Sequence, residues 1–162
     1  MVEHRYIRFH IDRNQSVVDE MVAMAKLANG STWLNITPDV DDDQAARLTD
    51  RTGVAGWFSG RGSDLPVATY MPADMSGRRP VPASIGVQHG LGSKARDILD
   101  EAGLPLPEGW VKRQDSGKRG LVANVPVRIP AAEILVYLTK VATLFMRDIA
   151  FGGWFVADIS EI

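Results

Sequence analysis

The sequence predicts a single α+β domain in which two β-α-β units share a mixed sheet, with the helices packed mainly on one face. Two stretches, residues 5–36 and 119–159, each show a strand pattern, a helix pattern and a second strand pattern in that order. The chain of 162 residues has the length of one domain, and it contains no low-complexity tract or linker that would divide it.

The two stretches also resemble each other, which predicts an internal repeat. Placing Arg5 over Arg119 brings Asp19 over Glu133, and each helix pattern is followed by glycine and a strand that contains tryptophan. Few residues are identical, so the prediction depends on the repeated order of the elements rather than on sequence identity.

The first unit begins with a strand at residues 5–12. Its side chains alternate, with Ile7, Phe9 and Ile11 on one side and Arg8, His10 and Asp12 on the other. This period of two is typical of a strand that has one buried face.

A helix follows this strand, and either Asn14 or Ser16 can cap its start. Its apolar positions have helical spacing: Val17, Val18, Met21, Met24, Ala25 and Ala28. Because glycine takes the left-handed conformation at little cost, Asn29 and Gly30 are predicted to end the helix. Residues 31–36 then read as the second strand.

The pattern between the two units changes several times. We predict an acidic helix start at 38–50, a strand at 67–71, an irregular Pro- and Gly-rich stretch at 72–92, a helix from Ser93 to Ala102 and a β-hairpin at 110–125. Residues 115–118 are the expected turn of that hairpin, and Gly103 is the expected end of the helix.

The second unit contains the most apolar helix of the chain. One face consists of Ile134, Leu135, Leu138, Val141, Ala142, Phe145 and Ile149, and four further apolar residues lie outside it: Val136, Tyr137, Leu144 and Met146. A helix that is apolar on more than one stripe is usually covered from two sides. The cover could be the Pro- and Gly-rich segment of the same chain, which we favour, or a second copy in a homodimer formed through this C-terminal helix.

Composition limits the classes of function. The formal net charge of −2 provides no field that would attract nucleic acid, and the absence of cysteine suits a cytoplasmic protein. The first ten residues lack the apolar region of a signal peptide. The apolar run 134–146 is too short to span a membrane and is interrupted by Lys140, so no membrane partner is expected.

The best candidate for a ligand site is the loop from Gly86 to Lys94, which enters the start of a predicted helix. Free backbone N–H groups at such a position favour an anion. The residues proposed for this site are His89, Gly90, Gly92, Ser93 and Lys94, with Arg61 as a second contributor. The spacing matches neither of the common glycine-rich phosphate motifs, and the alternative interpretation is a tight loop in which Ser93 caps the helix.

Candidate metal ligands are few, and no metal or cofactor is predicted. Asp39, Asp41, Asp43 and Asp50 occupy the first, third, fifth and twelfth positions of a calcium loop, but Gln44 stands where that loop needs glycine. The acidic run is therefore interpreted as a helix start. His4 and His10 are too far apart on one strand to share a metal without other ligands, and no cysteine could join them.

No complete catalytic motif is found. In the stretch 56–60 the serine stands one place too late for a nucleophile elbow, and nothing in the spacing pairs Ser59 with His89. Basic residues gather near Trp110 and in the Pro-rich loop: Lys112, Arg113, Lys118, Arg119, Arg128, Arg78 and Arg79. Without a basic footprint over the whole domain, they are interpreted as solvated side chains rather than as a nucleic-acid surface.

Two hypotheses of function follow. The first is a non-enzymatic module for protein interaction or regulation, since no complete catalytic or metal motif is present. The second is a domain that binds a small molecule or a phosphate-type anion through the loop from Gly86 to Lys94, and that could be an enzyme.

Overall fold

The computed structural model describes residues 1–41, 43, 65–90, 92–146 and 151–162, and all structural statements below refer to these residues. The strands are β1 (Glu3–His10), β2 (Thr32–Pro38), β3 (Val67–Met71), β4 (Ser84–Gln88), β5 (Val111–Ser116), β6 (Gly120–Asn124) and β7 (Trp154–Glu161). The helices are α1 (Gln15–Leu27), α2 (Ala95–Glu101) and α3 (Ala131–Phe145). The start of the predicted acidic helix, residues 38–41, instead belongs to the end of β2 and the chain after it, and its remainder lies largely outside the described residues.

The strands form one sheet in the order β1-β7-β2-β3-β4-β6-β5, and every neighbouring pair is antiparallel. The predicted mixed sheet is therefore wrong. β1 and β2 point in the same direction, as a β-α-β unit requires, but β7 lies between them and bonds to both. β6 and β7 also point the same way, and three strands separate them. No parallel pair forms because the last strand of the chain fills the gap inside the first unit.

The hydrophobic core lies on one side of this sheet. Alternate strand residues such as Leu34, Ile36, Phe155 and Ala157 are buried, as the period of two predicts. The buried side chains of α1, α2 and α3 belong to the same cluster. The fold thus combines an antiparallel sheet with helices on one side, which is an α+β arrangement.

The end of α1 differs from the sequence expectation. Ala28, with φ of 44°, takes the left-handed conformation directly after the helix, and its N–H donates to the carbonyl of Met24. Its own carbonyl accepts a bond of 2.7 Å from the N–H of Met75. Gly30 is also left-handed, two residues later, where a Cβ atom would meet the Asp74 carboxylate at 2.7 Å.

The stretch 72–92 is not irregular throughout, because it contains β4 in the middle of the sheet. Ile85 and Val87 point into the core, while Gly86 lies between them on the other face. Before this strand, Asp74 and Val81 exchange two backbone hydrogen bonds of 2.9 Å. The prolines of the stretch lie outside β4, so they remove no bond from the sheet.

α3 is covered by its own chain. Tyr137 packs edge to face against Trp110, with ring centroids 5.1 Å apart, and its hydroxyl lies 3.4 Å from the Leu104 carbonyl oxygen. Met146 is buried, whereas Val136 is 40% exposed. Residues 104–110 supply part of the cover, and the segment 72–92 supplies another part, because His89 stacks on Phe145 at the end of the helix. No helix in the described part of the chain is long and apolar enough to cross a membrane.

Candidate functional site

The loop predicted to bind an anion does not present its histidine to solvent. His89 is 1% exposed, and its ring stacks on Phe145 with centroids 4.7 Å apart. Ser93 and Lys94 are exposed, and Gly92 has a left-handed backbone. Arg61 lies outside the described residues. The structure therefore brings Gly92, Ser93 and Lys94 to the surface and places His89 in the interior.

The start of α2 already holds a carboxylate of the protein. The N–H groups of Ala95 and Arg96 donate to the two oxygens of Asp115, at 2.9 and 3.0 Å. Asp115 belongs to β5, so the hairpin caps the helix across 20 residues of chain. The N-cap residue of α2 is Lys94 rather than Ser93, and the Lys94 side chain makes no cap bond. An external anion would have to compete with Asp115 for these groups and would face its negative charge.

Among the aspartates considered as calcium ligands, Asp39 has a partner within the chain. Asp39 pairs with the guanidinium of Arg8 at 2.5 Å. Asp50 lies outside the described residues. Within the described ranges no three or more His, Asp or Glu side chains converge as metal ligands would.

His4, Asp158 and Ser160 lie together at one end of β1 and β7. Nδ1 of His4 lies 3.0 Å from Oδ1 of Asp158 and 3.2 Å from Oγ of Ser160. In a catalytic triad the carboxylate and the nucleophile bond to opposite ring nitrogens. Here both contact the same nitrogen, and Ser160 is fully buried, so the arrangement is not a triad.

His10 is bonded at both ring nitrogens. Nε2 lies 2.9 Å from the Gly152 carbonyl oxygen and Nδ1 lies 3.1 Å from the Asp12 backbone N–H. These partners assign the Nε2–H tautomer, since the carbonyl can only accept and the N–H can only donate.

The side of the sheet that faces away from the helices is the main candidate surface, and we call it the open face. Its side chains include His4, Tyr6, Arg8, Trp33, Asn35, Thr37, Thr69, Gln88, Trp154, Val156 and Asp158. Tyr6 is 66% exposed, which is unusual for a large aromatic side chain on a strand.

Aromatic and cationic side chains cluster at one end of the open face. The guanidinium carbon of Arg8 lies 4.0 Å from the ring centroid of Trp154, and that of Arg13 lies 5.8 Å away. The ring of His10 meets Trp154 edge to face, with centroids 5.2 Å apart. Asp39 fixes the other side of the Arg8 guanidinium. Both the tryptophan and the arginine are thus held in one orientation.

A polar depression of about 480 Å³ lies in the middle of the open face. Its polar lining consists of Tyr6, Asn35, Thr37, Thr69, Gln88 and Asp158. The hydroxyl of Thr69 donates to the Asn35 side-chain carbonyl at 2.8 Å, which fixes the orientation of that amide. The depression therefore offers fixed donors and acceptors on a rigid sheet.

A second depression, of about 550 Å³, lies on the helix side between α3 and residues 104–110. Its floor is apolar and includes Trp110 and Tyr137, and its rim carries Glu108, Glu133 and Lys140. Burial, with a smaller contribution from the negative charge of Asp100, raises the pKa of Tyr137 to about 12. The indole Nε1 of Trp110 is buried and has no acceptor among the described residues.

The open face was not identified from the sequence as a site, although the signal was present. Alternation places Arg8 and His10 on the outer side of β1. The same period of two places Tyr6 on that side of β1, and Trp33 and Asn35 on the outer side of β2. The sequence does not predict that these side chains share one surface, because that depends on β7 lying between β1 and β2. Comparisons of the chain with models of protein families, with curated proteins and with solved structures gave no match in any of the three.

Proposed function

We propose that this protein is a non-enzymatic interaction module that binds a protein partner with the open face of its sheet. The observation that carries the proposal is the combination of exposed Tyr6 and the Arg8–Trp154 pair around a polar depression. Tyrosine, tryptophan and arginine are the residues that most often dominate the binding energy of protein interfaces.

The rigidity of these groups also supports binding. Trp154 is held by Arg8 and His10, and Asn35 is held by Thr69, so little side-chain freedom would be lost on association. The polar lining of the depression calls for a partner that inserts a side chain with both donor and acceptor groups, such as an amide or a hydroxyl.

The anion-binding hypothesis has weaker support from the geometry. Two N–H groups at the start of α2 are bonded to Asp115, and His89 is buried. It remains a prediction. A thermal-shift measurement with inorganic phosphate would test it, with Lys94→Ala as the variant that should abolish any stabilisation.

The interaction hypothesis is tested by placing a long charged side chain in the depression. The two variants are Thr37→Arg and Gln88→Arg. Both side chains lie on the outward side of a strand, so the fold should be retained. The wild-type protein and the variants are immobilised and exposed to a lysate of the cells that make the protein. We expect a captured protein whose affinity falls at least about thirtyfold with either variant, equivalent to the loss of about 2 kcal/mol from one interface hot spot.

Val136→Arg is the matched control, because Val136 is exposed on the helix side of the molecule. It should leave capture unchanged. If the open-face variants retain every protein that the wild type captures, or if Val136→Arg loses the same proteins, the open face is not the binding surface.

A further inference from the structure

β1 is an edge strand, and its backbone pattern identifies which groups face outward. No strand in the described part of the chain lies beyond it. The N–H of Ile11 donates to the Gly153 carbonyl at 2.9 Å, so this opposed pair is hydrogen bonded. Bonded pairs alternate along an antiparallel ladder, so Phe9, Ile7 and Arg5 also bond to β7. His4, Tyr6 and Arg8 must then direct their backbone N–H and C=O groups away from the sheet.

The outward edge has a defined length. At its end the carbonyl of His10 accepts a bond of 2.9 Å from the N–H of Arg13, so the turn after β1 occupies the edge there. The part that another strand can approach runs from residue 3 to residue 9, and its midpoint is Tyr6. The register with β7 is unbroken over eight residues, whereas β5 at the opposite edge has an irregularity between Lys112 and Gln114. Such bulges protect an edge, and β1 has none.

We propose that β1 pairs with β1 of a second copy of this chain, antiparallel and with the twofold axis at Tyr6. His4 of each copy would then lie opposite Arg8 of the other, and the two sheets would become continuous. The pairs opposed at His4, Tyr6 and Arg8 would form six backbone hydrogen bonds, two for each pair.

Side-chain complementarity favours this register. On the helix side Arg5 is opposed by Ile7, and Glu3 by Phe9, so no like charges face each other directly. Arg8 already has Asp39 as a partner in its own chain. A shift of the axis to Arg5 would oppose two arginines, and a shift to Ile7 would drive the incoming strand into the turn at Arg13. The self-complementarity of the strand is the reason for assigning a second copy as the partner.

The pairing involves one short strand from each copy, so its area is smaller than that of a stable interface, and the dimer should be weak and dependent on concentration. A homodimer through α3, the hypothesis from the sequence, would instead depend on Val136. Val136→Arg therefore distinguishes the two, because it leaves a dimer formed through β1 unchanged.

The absence of cysteine makes disulfide trapping a direct test of the register. Tyr6→Cys lies opposite itself across the axis, at the Cα separation of about 5.5 Å that suits a disulfide. Under mild oxidation we expect it to form a covalent dimer at least about tenfold faster than Arg5→Cys or Ile7→Cys, whose own copies lie beyond bonding distance. A mixture of Arg5→Cys with Ile7→Cys should give the mixed dimer, because these positions oppose each other.

Met71→Cys is the control for random collision, because Met71 is 48% exposed but lies on a strand inside the sheet. Equal rates for Met71→Cys and Tyr6→Cys would overturn the proposal. So would a faster reaction of Ile7→Cys alone, since that would place the axis elsewhere.

Sedimentation of the cysteine-free chain provides an independent measurement. The wild type should show a rising average mass with concentration, and Tyr6→Pro should lose it, because proline removes the outward N–H that the second copy needs. Tyr6→Thr keeps the N–H and is the matched control. A wild type that stays monomeric throughout overturns the proposal, and so does a folded Tyr6→Pro variant that dimerises like the wild type. If Tyr6→Pro fails to fold, the cysteine variants decide.

Discussion

Ala28 is the one residue other than glycine that has a positive φ in the described part of the chain. A side chain in the left-handed region costs roughly 1 kcal/mol relative to glycine. Ala28→Gly should therefore stabilise the fold by up to about 0.6 kcal/mol, after the greater freedom of glycine in the unfolded chain is subtracted. Urea denaturation measures the change.

Ala23→Gly is the control for this prediction, because Ala23 is an exposed residue in the interior of the same helix. It should destabilise the protein by about 1 kcal/mol. The same chemical change thus has opposite signs five residues apart. Destabilisation by both variants would show that the conformation of Ala28 carries no strain.

Gly120 shows the effect of close backbone approach. It has φ of 80°, and a Cβ atom there would lie 2.1 Å from the Val87 carbonyl oxygen. We expect Gly120→Ala to reduce the free energy of unfolding by at least about 3 kcal/mol, because the hairpin would have to move away from β4. Gly103 has φ of 70° with nothing within 4 Å, so Gly103→Ala should cost only about 1 kcal/mol. If chemical denaturation shows the same loss of stability for Gly120→Ala and Gly103→Ala, the close approach to the Val87 carbonyl is not the cause.

At the scale of the elements, one carboxylate connects the β5–β6 hairpin to α2. Asp115 accepts the N–H groups of both Ala95 and Arg96. Asp115→Ala should destabilise the protein by about 1–2 kcal/mol, because a helix cap is lost and two donors remain without an acceptor. Exchange of the α2 amides with deuterated solvent should accelerate more than exchange in α1.

Asp97→Ala is the matched control, because Asp97 lies in the first turn of α2 without capping it. It should change stability by only a few tenths of a kcal/mol, since an exposed charge near a helix dipole contributes little. If Asp97→Ala and Asp115→Ala have the same effect, the charge near the helix matters and the two hydrogen bonds do not.

Elements with strong local patterns could be predicted from the sequence. The alternation around Phe9 located β1, and the long apolar helix pattern located α3. β4 was missed because it has only two apolar side chains, separated by Gly86, in a stretch rich in proline. The capping of α2 by Asp115 was also missed, because a cap from another element leaves no local pattern.

At the scale of the whole molecule, the order of the strands could not be read from the chain. The directions of β1 and β2 follow from the helix between them, but the insertion of β7 depends on contacts between the two ends of the sequence. For the same reason, the open face could be predicted only in part. Which side chains point outward follows from alternation, whereas the meeting of Arg8 with Trp154 follows from the pairing of β1 with β7.

The packing of α3 against residues 104–110 makes the stability of the molecule sensitive to alkaline pH. Burial raises the pKa of Tyr137 from 10.0 to about 12, and it also raises the pKa of Tyr70. Well below pH 10 both tyrosines are neutral in the folded and unfolded chains, so their contribution to the free energy of unfolding is fully present. Above pH 10 the unfolded chain loses its protons first, so the free energy of unfolding should fall as the pH rises towards 12.

Tyr137→Phe removes one of the two groups and should make this fall less steep. Its cost at neutral pH should be small, because the bond from the Tyr137 hydroxyl to Leu104 is long, at 3.4 Å. Urea denaturation at a series of pH values measures the slope, and Tyr70→Phe should flatten it in the same direction. A Tyr137→Phe variant with the wild-type slope would mean that the hydroxyl ionises in the folded protein as readily as in the unfolded chain. The cover of α3 by residues 104–110 would then be open to water.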